Sequence, residues 1–244
     1  GETEVVKALL DRGADVNGTS KFMGTNLYQR EGVTDNTRND PGYSVLQISV
    51  HRGHADVVDL LLEHGADPDY DELGFTALLW ACGSWESTLD GAFGIRPPKD
   101  SEWYHMGGLR DDKYRIIEAL LKHDANADAR MTKAPTRFGF APRGRPTGAT
   151  PYILAAIAAD AEAMRLLVKY GADPTLVADN KVPAILFAAG LQRLLVNSRA
   201  TEEASIEAVQ AALDLGAKIT DTDTQGNTVL HGAASMRLPN LVQY

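Results

Sequence analysis

Three histidines and four aspartates fall within residues 51–69, HRGHADVVDLLLEHGADPD. Imidazole and carboxylate are the side chains that hold zinc and related metals, so a metal site is the first chemistry to weigh. The spacing argues against it. His54 and His64 stand ten residues apart, about 15 Å along a helix axis. Asp56 and Asp59 fall in the first turns of a helix, where acidic groups suit the macrodipole, and His64 falls near its C-terminal end, where a cation is favoured. Gly65-Ala66-Asp67 stops that helix. The stretch reads as helix punctuation, and only His51, beside Arg52, stays a functional candidate, as a contact residue.

Other constellations fare no better. The run DTDTQG at 221–226 resembles the start of a calcium loop, but Gly232 stands where the bidentate acid must be. The lone cysteine, Cys82, cannot build a thiolate cluster and occupies a small-residue helix position, as a buried apolar side chain would. There is no His-Glu-x-x-His helix, phosphate-binding Gly-Lys-Ser/Thr loop or Gly-x-Ser-x-Gly elbow. No catalytic residue, metal site or cofactor is expected. The formal charge of −9 on 244 residues disfavours nucleic acid and anionic lipid as partners. No run of about 18 apolar residues is present to span a bilayer. The start at Gly1 shows no signal-peptide pattern, and one cysteine fits the cytoplasm without ruling out export, so the compartment is unknown.

The elements that carry these residues repeat. Five segments share one amphipathic pattern: GETEVVKALLDRGADVN at 1–17, GHADVVDLLLEHGADPD at 53–69, YRIIEALLKHDANAD at 114–128, DAEAMRLLVKYGADP at 160–174 and SIEAVQAALDLGAKI at 205–219. Between them recur short apolar helices: GYSVLQISV, GFTALLWAC, GATPYILAA, KVPAILFAA and GNTVLHGAA. Thr76, Thr150 and Thr228 sit where a hydroxyl caps a helix, and Pro151 sits at the first helical position. Ser44 to Gly65 and Thr150 to Gly171 are both 21 residues, and the full period is about 33.

On Thr150-Pro151, Val-Leu-His-Gly-Ala-Ala at 229–234, Gly53-His54 and the Gly-Ala-Asp triplets at 13–15, 65–67 and 171–173, the chain resembles ankyrin repeat proteins. The resemblance implies an all-α ankyrin-repeat solenoid of stacked helix-turn-helix units with β-hairpin fingers. It covers nearly the whole chain apart from the insertions. The units are placed at about 1–17 (partial), 40–69, 70–129, 148–174, 178–220 and 221–244 (partial). Neither end shows a polar capping unit, so the chain is expected to continue into more repeats or another domain, or to have its ends covered by other chains. By the family pattern His231 is structural, bridging backbone groups between turns.

Four insertions break the period: 18–41, 83–113, 130–147 and 190–202. The second is the largest, since Thr76 to Asp124 is 48 residues where other units have 21. It carries Trp85, Phe93, Trp103, Tyr104, His105 and Met106, an aromatic surface too large to stay bare. It either folds back on the stack, the reading we take, or meets a partner. Leu191, Leu194, Leu195 and Val196 place a longer helix at the start of the fourth. Residues 129–147 hold five basic residues and no acidic one, with Phe138 and Phe140 among them. Arg and aromatic side chains are the types that anchor interfaces.

The resemblance implies a non-enzymatic protein-protein interaction scaffold that binds a partner through its concave face and fingers. The candidate contacts are His51, Arg52, Glu72, Leu73, Phe75, Arg137, Phe138, Phe140, Arg143 and Arg145, with Phe22 and Tyr28 in the first insertion. Finger positions Thr224, Gln225 and Asn227 join them by the same pattern. For Leu73 and Phe75 packing against the neighbouring finger is equally open. The expected partner is a protein, with an acidic patch to meet the basic finger. The alternative is a structural module of a larger protein or assembly, held through its insertions and open ends, with any catalytic or electron-transfer domain elsewhere.

Overall fold

The computed structural model describes residues 2–20, 42–83, 110–133, 146–193 and 200–243. The helices in these residues form two rows. The inner row is α2 (Val45–Arg52), α4 (Ala77–Cys82), α6 (Pro151–Ile157), α8 (Ala184–Ala188) and α10 (Val229–Met236). The outer row is α1 (Glu2–Leu10), α3 (Ala55–Glu63), α5 (Arg110–Lys122), α7 (Ala161–Lys169), α9 (Glu202–Asp214) and α11 (Pro239–Gln243). Each inner helix packs on the outer helix that follows it, and each helix packs on its neighbours in the same row. The result is an all-α repeat solenoid with one continuous apolar core.

Local chemistry sets where each helix starts. The hydroxyls of Ser44, Thr76, Thr150 and Thr201 accept from the amides of Gln47, Leu79, Ile153 and Ala204; each satisfies an orphan N–H of the first turn. Asp160 caps α7 through the Ala163 amide. Gly53 ends α2 in the left-handed conformation. The helix α5 begins at Arg110, inside the span expected for the second insertion. Helix α8 stops at Ala188, and the chain turns at Gly190, with φ of 102°; Leu194, Leu195 and Val196, where a longer helix is expected, lie outside the described residues. Arg193 braces that turn. It donates to the carbonyls of Ile157, Phe187 and Ala188, at the C-terminal ends of α6 and α8, and to Ser205 Oγ.

Between outer helix and finger runs a ladder of Asx turns. Asp15, Asp67, Asn126 and Asp173 each accept from the amide two residues on. In the first three, the residue that closes the turn then reaches the next unit. Asn17 accepts from the Asp67 amide, Asp69 from the Asn126 amide and Asp128 from the Asp173 amide. The Gly-Ala-Asp triplets thus do more than stop helices: they lock adjacent units in register.

The expected β-hairpin fingers are not shown among the described residues. Among the described residues their arms pair only at single positions. Thr19 bridges Ser44, and Met131 exchanges backbone bonds with Gly148 and Ala149. Adjacent fingers are nevertheless tied. The amides of Thr132 and Lys133 donate to the Gly74 carbonyl, and that of Asp179 to the Thr147 carbonyl. Gly74 needs to be glycine on two counts: its φ is +90°, and a Cβ there would come 2.5 Å from Lys133 Cβ.

Candidate partner-binding site

The candidate contacts divide by burial. Arg52, the last residue of α2, and Leu73 are half-buried, and Glu72 is exposed. The side chains of His51 and Phe75 are buried, which corrects the expectation that they face a partner. Both belong to an aromatic cluster. The His51 ring meets Trp80 edge-on at 4.4 Å between centroids, and Phe75 lies 5.8 Å from Trp80 and 6.1 Å from Tyr43. Edge-on and tilted ring pairs of this kind stabilise a core beyond their buried area. Of the two options for Phe75, packing inside is the one found. Phe22, Tyr28, Arg137, Phe138, Phe140, Arg143 and Arg145 lie outside the described residues, as do the aromatic residues of the second insertion.

The inner row is more closed than a concave contact surface requires. Every residue of α4, α6 and α8 is buried, including Trp80, Tyr152 and Phe187. Among the described candidates the accessible ones are Arg52, at the end of α2, and Glu72 and Leu73 on the finger edge. Thr224 and Gln225 are exposed on the last finger, while Asn227 is tied to Asp223. That carboxylate also accepts from the Gln225 amide. The Asn227 side chain, with these backbone amides, holds it below the usual carboxylate range. The second acid of the calcium-like run, Asp223, is thus used within its own turn.

Several polar residues prove to be braces that sequence reasoning missed. Gln47 stands at the position of the family histidine. Its side chain accepts from the Ser44 amide and donates to the Tyr70 and Phe75 carbonyls of the next finger. His231, at the equivalent position and expected to be structural, accepts from the Thr228 amide of its own turn through Nδ1. Arg130, one of the five basic residues of 129–147, donates to the carbonyls of Gly148 and Val177, tying two fingers together. Tyr70 donates to the Gly42 carbonyl beside Glu72; burial first, then the Glu72 carboxylate, pushes its hydroxyl pKa up.

Cys82, Asp160 and Asp69 are also set by their packing. Burial pushes the Cys82 thiol up to about 12, so it is a poor nucleophile. Asp160 is deeply placed, and burial alone would raise its pKa. The Lys113 ammonium at 2.7 Å, the Ala163 amide and the Tyr114 hydroxyl together hold it below the usual range. Burial raises the Asp69 carboxyl, against the opposing Asn126 amide. His64 Nδ1 lies 2.8 Å from the Leu60 carbonyl, and His54 is exposed at the start of α3. Three histidines that are near in sequence thus point to three different places. No helix among the described residues is long and apolar enough to cross a membrane.

No curated protein matches this chain. Family models do. The model for ankyrin repeats in three copies matches residues 1–89, and that for a single ankyrin repeat matches residues 147–180. Together these cover just over half of the chain, and both fall on the same pattern of capped inner helix, outer helix and Asx turn. The chain belongs to the ankyrin repeat family.

Proposed function

We propose that this chain is a non-enzymatic scaffold that binds a protein partner along its finger edge. Ankyrin repeats are in general protein-protein interaction modules and are typically non-catalytic. The observation that carries the finger edge is the ladder from Asn17 through Asp67, Asp69 and Asp128 to Asp173. It fixes the finger bases before any partner arrives, so little ordering entropy opposes association. Arg52, Glu72 and Leu73 supply contacts beside the ladder. The basic finger that follows Arg130, with Arg137, Phe138, Phe140, Arg143 and Arg145, supplies positive charge and aromatic anchors for an acidic partner surface. Phe22 and Tyr28 of the first insertion are further candidate contacts.

The test is a quantitative binding assay on a partner isolated by pull-down. Reversing Arg137, Arg143 and Arg145 to Glu is expected to weaken binding at least tenfold while far-UV circular dichroism stays unchanged. Unaltered affinity would remove the basic finger from the interface. A second reading, a module held through its ends within a larger assembly, is favoured by one observation: Val5, Leu9, Leu230 and Val242 are exposed at the two ends of the stack.

A further inference from the structure

One rung of the Asx ladder differs from the others in its chemistry. Asp69 and Asp128 each accept from one amide of the next unit. Asn17 does this and more. Its Oδ1 accepts from the Asp67 amide at 2.8 Å, and its Nδ2 donates to the Gly65 carbonyl at 3.3 Å. Asn17 is exposed, and it is the one asparagine in the sequence that glycine follows.

An Asn-Gly pair can react with itself. Glycine has no Cβ, so its amide nitrogen can reach the side-chain carbon of the residue before it. The Gly18 nitrogen bonds to Asn17 Cγ, the Cγ–Nδ2 bond breaks, and Nδ2 leaves as ammonia with the proton that the Gly18 nitrogen gives up. Water then opens the cyclic imide at one carbonyl or the other. One product is aspartate. The other is isoaspartate, in which the backbone runs through the former side chain. Asparagine counts among the thermolabile residues.

The fold opposes the first step. The Gly18 amide donates to the Asp15 carbonyl at 3.2 Å, and the Asn17 amide donates to Asp15 Oδ1. The two polar atoms of the Asn17 side chain are both held by the next unit. Attack on Cγ needs these bonds to open together, so the reaction runs through opening of the junction between the first two units. The two products then differ in what they restore. Aspartate keeps an acceptor for the Asp67 amide, as the rungs at Asp69 and Asp128 do, and loses the bond to Gly65. Isoaspartate adds a methylene to the main chain between two fixed points. One is the turn at Asp15; the other is the pairing of Gly18 and Thr19 with Val45 and Ser44. The rung then falls out of register with Asp67.

We propose that Asn17 is a deamidation site guarded by the junction between the first two units, and that its isoaspartyl product unlocks that junction. The site needs no partner, so it stands apart from the binding role of the finger edge.

The test ages the full chain at mildly alkaline pH, folded and in urea. Peptide mapping by mass spectrometry locates each amide-to-acid change, and a protein-isoaspartate methyltransferase reports the isoaspartyl share. Conversion is expected at residue 17 ahead of every other asparagine, about tenfold slower in the folded chain than in urea. Gly18→Ala should suppress it in urea, where no fold intervenes. In native-state exchange the Asp67 amide of the aged, isoaspartyl chain should exchange about tenfold faster than in the fresh chain. The same amide in Asn17→Asp should stay close to the fresh value. Conversion at other asparagines before residue 17, or equal rates folded and in urea, would overturn the guarded site. An unchanged Asp67 amide in the isoaspartyl chain, or equal acceleration in Asn17→Asp, would overturn the unlocking.

Discussion

Helices α4 and α10 occupy the same place in their units and begin from the same threonine position, yet they live in different surroundings. All of α4 is buried between α2 and α6. In α10 Leu230, His231, Ala234 and Ser235 are exposed. Nothing in the two short sequences, ALLWAC and VLHGAASM, dictates this difference. A repeat unit cannot bury its own apolar face; a neighbour must do so. Burial in this chain is thus a property of position in the stack, and equal substitutions at equivalent positions should have unequal costs.

The largest contrast is expected between these two helices. Leu78→Ala should cost about 3 kcal/mol by leaving a cavity in a covered site. Leu230→Ala, at the equivalent position, should stay within roughly 0.5 kcal/mol, as exposed sites do. Urea titration of both variants measures the ratio. Equal losses would break the contrast.

Next in size is the Asp160 cluster, which joins α5 to the start of α7. Asp160→Ala removes a helix cap and strands Lys113, which is mostly covered. About 2 kcal/mol should be lost. The acid limb follows from sign. The folded pKa of Asp160 lies below its unfolded value, so its contribution is present above about pH 4 and is lost as pH falls through the folded pKa. Asp160→Asn should therefore flatten the acid fall in stability. Asp69 works the other way. Its pKa is raised, so its share is present at low pH and is lost as pH rises through the folded value. A steeper acid fall in Asp160→Asn would contradict the assignment.

The caps should repeat the contrast on a smaller scale. Thr150 is buried and bonds the Ile153 amide, so Thr150→Ala should cost about 1 kcal/mol. Thr228 is half-buried, and its hydroxyl lies 3.0 Å from His231 Nδ1. Thr228→Ala should cost a few tenths of that. Thermal melts of the two variants would separate these effects.

What the sequence revealed and what it hid divide along the same line. The helix pairs, their threonine caps and their glycine stops were legible because each depends on residues within one turn of one another. The cross-unit bonds were not. Gln47 reads as an ordinary helical glutamine until the next finger is beside it, and Arg130 reads as one of five basic residues until Gly148 and Val177 approach. The family pattern puts His51 on the concave edge and Phe75 on a finger, where contact with a partner and packing against the neighbouring finger are equally open. A signal against that was available: Trp80 stands in a helix otherwise made of Ala, Leu and Cys, and so large a ring needs neighbours to cover it.

The claim that neighbours decide burial is tested most directly by amide hydrogen exchange along the whole chain under native conditions. Amides of α4, α6 and α8 are expected to exchange slowest and together, near the global opening rate. Those of α1, α10 and α11 should exchange about a hundredfold faster through local opening. Uniform protection from α1 to α11 would contradict it.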